Sequence, residues 1–126
     1  MKLIIDAYAW VEYMEGSEKG EKLHNLLLKN DENYTLSITI AEVVSKMKRK
    51  RGNSLLAYKS INANSKIIEI DKVLANEAGL LHAEIKTKIK DFGLADAFIL
   101  ASAKKLNAKI ITGDNHFKNF KEAIMI

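Results

Sequence analysis

The stretch LADAFILASAKKLNAKIITGDNHF, residues 94–117, decides how the chain is read. Phe98, Ile99, Ala101, Ser102 and Leu106 give its first half an apolar and small-residue face, the mark of a packed helix. That helix begins near Asp96 and breaks at Leu106-Asn107. Ala108 to Ile111 then has the length and β-branched content of a buried strand. An abrupt turn follows and presents a second acid, Asp114. A helix leading straight into such a strand is half of a parallel crossover unit. The helix runs antiparallel to the strand in such a unit, so its first turn shares one sheet edge with the strand's last residue. Asp96 and Asp114 are therefore placed to meet at the carboxyl edge, where open α/β folds build their sites.

Outward from that unit, the same alternation of strand and helix recurs. Leu3 to Ile5 is an uncharged run without alternation, suited to a strand covered on both faces, and it ends at Asp6. A helix is expected over Ala7 to Glu15, with Trp10, Val11 and Met14 on one side. Asp6 between them suits an N-cap. A second amphipathic helix runs from Ser17 to Lys29. Tyr34 to Ser37 reads as the second strand, and Thr39-Ile-Ala-Glu42 opens a helix in the pattern of a capping box. That helix ends in Lys46-Met47-Lys48-Arg49-Lys50-Arg51, which either complements the helix dipole or contacts phosphate. Lys66 to Ile70 is a third strand. Asp71 then caps a helix through Ile85 with Val73, Leu74, Ala78, Leu81 and Ile85 facing the core, and His82 reads as structural. Beyond Phe117, the KNFKEAIMI tail supplies one last edge strand. The expected architecture is a three-layer α/β/α sandwich on a mostly parallel sheet of four to five strands, with residues 1–126 as a single domain.

Composition removes several chemistries. At 126 residues and 48% hydrophobic, the chain is large enough to bury a core without disulfide staples. It has no Cys, which excludes thiolate catalysis and zinc-thiolate sites and suits a reducing cytoplasm. No apolar run is long enough for a membrane span, and MKLIIDAYAW meets an acid too early for a signal peptide. A cytoplasmic location is expected. There is no GxxxxGK[ST] loop for a nucleoside triphosphate, no GxGxxG after the first strand and no GxSxG elbow. The formal charge of +4, from twenty basic against sixteen acidic side chains, is mild support for a polyanionic partner.

What survives is a set of carboxylates. Asp6, Glu42, Asp96 and Asp114 each have a capping or turn explanation, yet all four fall on one edge of one sheet. At about 5 Å and an effective dielectric of about 20, each pair of such charges repels by on the order of 3 kcal/mol. A cation must compensate, or some of the acids must hold protons. With oxygen ligands and no Cys or His cluster in view, the expected ion is hard, Mg²⁺ or Mn²⁺.

These residues carry a resemblance. Leu3-Ile4-Ile5-Asp6, Ala41-Glu42, Leu94-Ala95-Asp96-Ala97 and Thr112-Gly113-Asp114-Asn115-His116-Phe117 together make the chain look like a PIN-domain protein, most similar to VapC-type toxins of prokaryotic toxin–antitoxin pairs. The resemblance spans the whole chain, and its last two motifs are the specific ones. It implies a metal-dependent endoribonuclease in which Asp6, Glu42, Asp96 and Asp114 are both the metal-binding and the catalytic acids and Thr112 is a hydroxyl support. It also implies an RNA substrate, a homodimer and a cognate antitoxin. Lys46, Lys48, Arg49, Lys50 and Arg51 are then candidate RNA contacts, with Lys86, Lys88 and Lys90 behind them. Tyr8, Trp10, Val11 and Tyr13 either contribute to an antitoxin groove or belong to the core. One departure is Ala7-Tyr8 after the first Asp, where the family frequently carries a small hydroxyl or amide residue. An RNA-processing role, action on structured DNA, and a non-catalytic RNA- or partner-binding domain stand as alternatives.

Overall fold

Leu3, Ile4 and Ile5 are all buried, and the two faces of the central sheet explain why. In the computed structural model, which describes residues 1–126, Ile4 packs with Leu36, Ile110, Leu100 and Phe117 on one face. Leu3 and Ile5 pack with Trp10, Leu23, Val43 and Ile111 on the other. Alternate side chains of one strand thus enter two separate cores, so the strand has no polar positions to alternate with.

The chain forms β1 (Lys2–Ile5), α1 (Ala7–Glu15), α2 (Glu18–Lys29), β2 (Glu32–Leu36), α3 (Ser37–Arg49), α4 (Ser54–Asn64) and β3 (Lys66–Ile68). It continues through α5 (Lys72–Lys86), α6 (Leu94–Leu106), β4 (Lys109–Thr112), a 3-10 turn (Asn115–Phe117) and β5 (Ala123–Met125). The sheet has five strands in the order β3-β2-β1-β4-β5, and every pairing is parallel. Helices α1 to α4 cover one face and α5 and α6 the other, which makes the three layers.

Strand order reverses between β1 and β4, which pair with Ile5 opposite Ile111. A reversal of this kind opens a crevice at the carboxyl ends of the two strands. Asp6 and Asp114 lie just beyond those ends. Two further devices fix the crevice walls. Asn107 takes the left-handed conformation, φ 53°, and ends α6 so that β4 follows without a loop. Phe92, just before α6, packs edge-on against Phe117 with centroids 6.1 Å apart, and Phe120 joins them. That cluster ties the segment leading to Asp96 to the segment following Asp114.

Several expectations shift. The second strand begins earlier, at Glu32, and the third ends at Ile68. The capping box at Thr39 and Glu42 is absent: α3 starts at Ser37 behind Leu36, so Thr39 lies inside the first turn. Its hydroxyl is buried with no protein partner. Val73 is exposed, because on α5 it lies about 100° round from Leu74, whose face Ala78 continues into the core. Trp10 and Val11 are core residues, with the Trp10 indole donating to Thr35 Oγ1 at 3.0 Å, while Tyr8 and Tyr13 are half-buried. His82 is structural, its Nε2 lying 3.0 Å from the Phe92 carbonyl oxygen.

Candidate metal centre

Asp6 is held by its neighbours in both directions. Its backbone amide donates to Ile111 O at 3.2 Å, continuing the β1–β4 ladder by one residue. Its Oδ1 accepts from the Ala9 amide at 2.9 Å, so the N-cap expected from the sequence is present. The residue is only 4% exposed. Burial drives its pKa up to about 7, against the pull of the Thr112 hydroxyl and the Ala9 amide, and the charges of Asp114 and Asp96 push the same way as burial.

Asp96 is the third residue of α6, and its Oδ2 accepts from the Gly93 amide at 3.2 Å. This is one half of a reciprocal cap; Gly93 has no side chain to return the bond. Asp114 caps the 3-10 turn, with Oδ1 accepting from the His116 amide at 2.9 Å. That turn brings the His116 ring back over both acids. His116 Nδ1 lies 3.1 Å from Asp96 Oδ2 and 3.4 Å from Asp114 Oδ1. Asp96, Asp114 and His116 each offer one ligating atom, all within 4.8 Å of one another. Thr112 Oγ1, fully buried, accepts from the Asp114 amide at 2.9 Å and so fixes the turn.

Glu42 stands on α3 across a groove of about 520 Å³ that also touches Ala7, Tyr8, Lys46, Arg49 and Asp114. The residue is exposed by surface area, but its carboxyl is set into the groove wall. That partial burial raises its pKa, and the charges of Asp96 and Asp114 add to the rise. Glu42 therefore feels the acid cluster without belonging to the three-residue group. Of the five basic residues singled out at the end of α3, Lys46 and Arg49 line this groove. Lys50 is paired to Glu15 at 2.6 Å, and Lys48 and Arg51 are exposed without lining it. Lys86 donates to the Lys90 carbonyl in the connection that leads toward α6.

His116 stands in the Thr112–Phe117 motif, but the sequence assigns it no role at the site. The clue was its position two residues after a turn Asp, where an Asx-type turn folds the side chain back.

The donor set fits a hard divalent ion. The buried Asp6 carboxyl has its pKa raised by burial and by the charges of Asp114 and Asp96, and Asp96 and Asp114 bring ligating atoms within 4.8 Å of each other and of His116. Carboxylate oxygens gathered at a parallel-sheet switch point are the donors that a divalent cation takes.

Comparison with known proteins gives the same outline. No curated protein matches the chain in sequence. Among solved structures, a toxin–antitoxin complex from Klebsiella pneumoniae superposes with a TM-score of 0.79 at 21% identity, covering 98% of this chain and 97% of that one. VapBC2 from Rickettsia felis, bound to a DNA fragment from its promoter, gives 0.74 at 24% identity over 100% and 98% of the two chains. VapC20 of Mycobacterium tuberculosis, a sarcin–ricin loop cleaving toxin, gives 0.75 at 15% identity over 92% of each. At these identities the likeness is one of fold. The sequence profile described as PIN domain matches residues 3–123, and with the five-stranded parallel sheet and its acids at the switch point, this establishes that the chain belongs to the PIN domain family.

Proposed function

We propose that the protein is an endoribonuclease dependent on Mg²⁺ or Mn²⁺ and the toxin member of a toxin–antitoxin pair. The observation that carries the reading is the meeting of Asp96, Asp114 and His116 within 4.8 Å beside the buried Asp6, next to a groove edged by Lys46 and Arg49. Family membership and the toxin–antitoxin assemblies among its structural relatives support it.

Asp6, Asp96 and Asp114 hold the ion in this reading. When bound, it supplies Lewis-acid polarisation of a phosphoryl oxygen and lowers the pKa of a water. Glu42, outside the tight group and with its pKa raised, orients the attacking water and accepts its proton. Thr112 and His116 set the positions of Asp114 and Asp96. Lys46 and Arg49 hold the RNA backbone, which gives affinity and not sequence choice.

The test is cleavage of a single-stranded oligoribonucleotide with EDTA, then with Mn²⁺ restored. Activity is expected only with the ion, and Asp96→Asn is expected to abolish it. Wild-type turnover by Asp96→Asn would end the catalytic assignment. A melting temperature unmoved by Mn²⁺ would favour a binding module, since an ion that binds the folded chain stabilises it by mass action. The antitoxin is tested by co-expressing any small upstream reading frame and scoring relief of toxicity.

A further inference from the structure

Tyr8, in the Ala7-Tyr8 pair that follows the first Asp, lines the groove beside the acids. A side chain at Gly113 would meet three consecutive atoms of its ring: Cδ1 2.6 Å and Cζ 2.8 Å away, with Cε1 between them closer still. Nearly even distances to three adjacent ring atoms mean that Gly113 stands over the ring's face and not at its edge. The turn that presents Asp114 is therefore stacked on Tyr8, and only glycine permits that approach.

The opposite end of the ring is also held. Lys19 of α2 donates to the Tyr8 hydroxyl at 2.8 Å. Its ammonium is 5.1 Å from the ring centroid, farther than from the hydroxyl, which puts it beside the ring's rim and leaves the faces clear. Gly113 thus covers one face and Lys19 the hydroxyl end, while the half-buried Tyr8 lines the groove. Lys46 and Arg49, one turn apart on α3, supply the groove's positive charge.

We propose that Tyr8 is a stacking platform for one unpaired base next to the scissile phosphate, with Lys46 and Arg49 on the adjoining backbone. This rests on the nuclease reading and narrows it: the substrate is single-stranded at that nucleotide, and its base is gripped by its flat face, whichever base it is. Tyr8 positions substrate and takes no part in the proton transfers.

Steady-state cleavage of an oligoribonucleotide of about 12 nucleotides in Mn²⁺ tests it, with wild type, Tyr8→Phe and Tyr8→Leu compared and their melting temperatures recorded. Tyr8→Phe keeps the ring and is expected within about twofold of wild type. Tyr8→Leu keeps the bulk over Gly113 but loses the aromatic face, and KM should rise about tenfold with kcat little changed. Replacing each nucleotide near the mapped cut by an abasic one should then show a single position costing about tenfold in KM for wild type and Tyr8→Phe, and nothing for Tyr8→Leu. An unchanged KM for Tyr8→Leu, or an abasic penalty that persists in it, overturns the stacking role while leaving the nuclease reading intact. Absence of cleavage by wild type overturns both.

Discussion

One oxygen of each aspartate at the site is already employed by the backbone. Asp6 Oδ1 caps α1, Asp114 Oδ1 caps the 3-10 turn and Asp96 Oδ2 takes the Gly93 amide, leaving in each a second oxygen that no backbone amide claims. Capping and the proposed metal holding are therefore not rival explanations for these acids: each capped carboxylate keeps one oxygen free of the backbone. The sign of the Asp6 shift yields a prediction. In the unfolded chain Asp6 ionises near 3.8, while the folded, metal-free protein keeps its proton to about 7. Between those values the unfolded state releases the proton and the folded state does not, so this group's contribution to stability falls as pH rises. The full loss is on the order of 4 kcal/mol. Asp6→Asn, which retains a capping oxygen, should flatten the pH dependence of the melting temperature in EDTA and raise it at pH 7.5; an unaltered profile would refute the assignment. The three aspartates were legible in the sequence because each stands where a strand stops or a helix starts. The placements of His116 and Tyr8 were not, since they depend on a turn folding back and on one glycine admitting a ring.

At the scale of elements, the sequence placed α1 correctly and missed the start of α3. Thr39 and Glu42 have the spacing of a capping box, but Ser37 and Ile38 were free to join the helix, since β2 pairs with β1 only to Tyr34 and with β3 to Leu36. Tertiary pairing overrode local preference, and Glu42 was left to face the groove. If the Thr39 hydroxyl has no partner, Thr39→Val should leave stability unchanged or raise it by about 1 kcal/mol, as chemical denaturation would record. A capping role would instead make the valine variant less stable. The packing of α1 on α2 is tighter than either helix's sequence implies. A Cβ at Gly20 would strike the carbonyl of Glu12 and the Cα of Tyr13, both backbone. Gly20→Ala should therefore force the two helices apart at a cost of about 1–3 kcal/mol, measurable by urea titration. A neutral alanine there would show that the helices have room to slide.

For the molecule as a whole, the layer order followed from counting strands against helices; the sheet, expected to be mostly parallel, is parallel throughout, with β5 reached from β4 through a 3-10 turn instead of a helix. The sequence did not show which basic residues share the groove, because Lys46 to Arg51 is one dense run and only the helix's rotation separates its members. Lys46 and Arg49 point one way, and Lys50 turns to Glu15. Removing either groove cation should lower the salt dependence of RNA binding by about 0.7 in log–log slope, while Lys48→Ala should alter it far less. Equal effects from all of them would indicate a diffuse basic surface.

The pairing of Leu3 with Lys109 joins the first strand to the fourth across almost the entire intervening chain. Contacts so distant along the polypeptide tend to form late, because the loop they close must be ordered first. A half-built sheet carrying only β1, β2 and β3 would present Asp6 without Asp114 and would have nothing with which to seize a cation. Mn²⁺ should consequently act as a latch on the finished protein: in stopped-flow experiments it should slow unfolding and leave the refolding rate almost untouched.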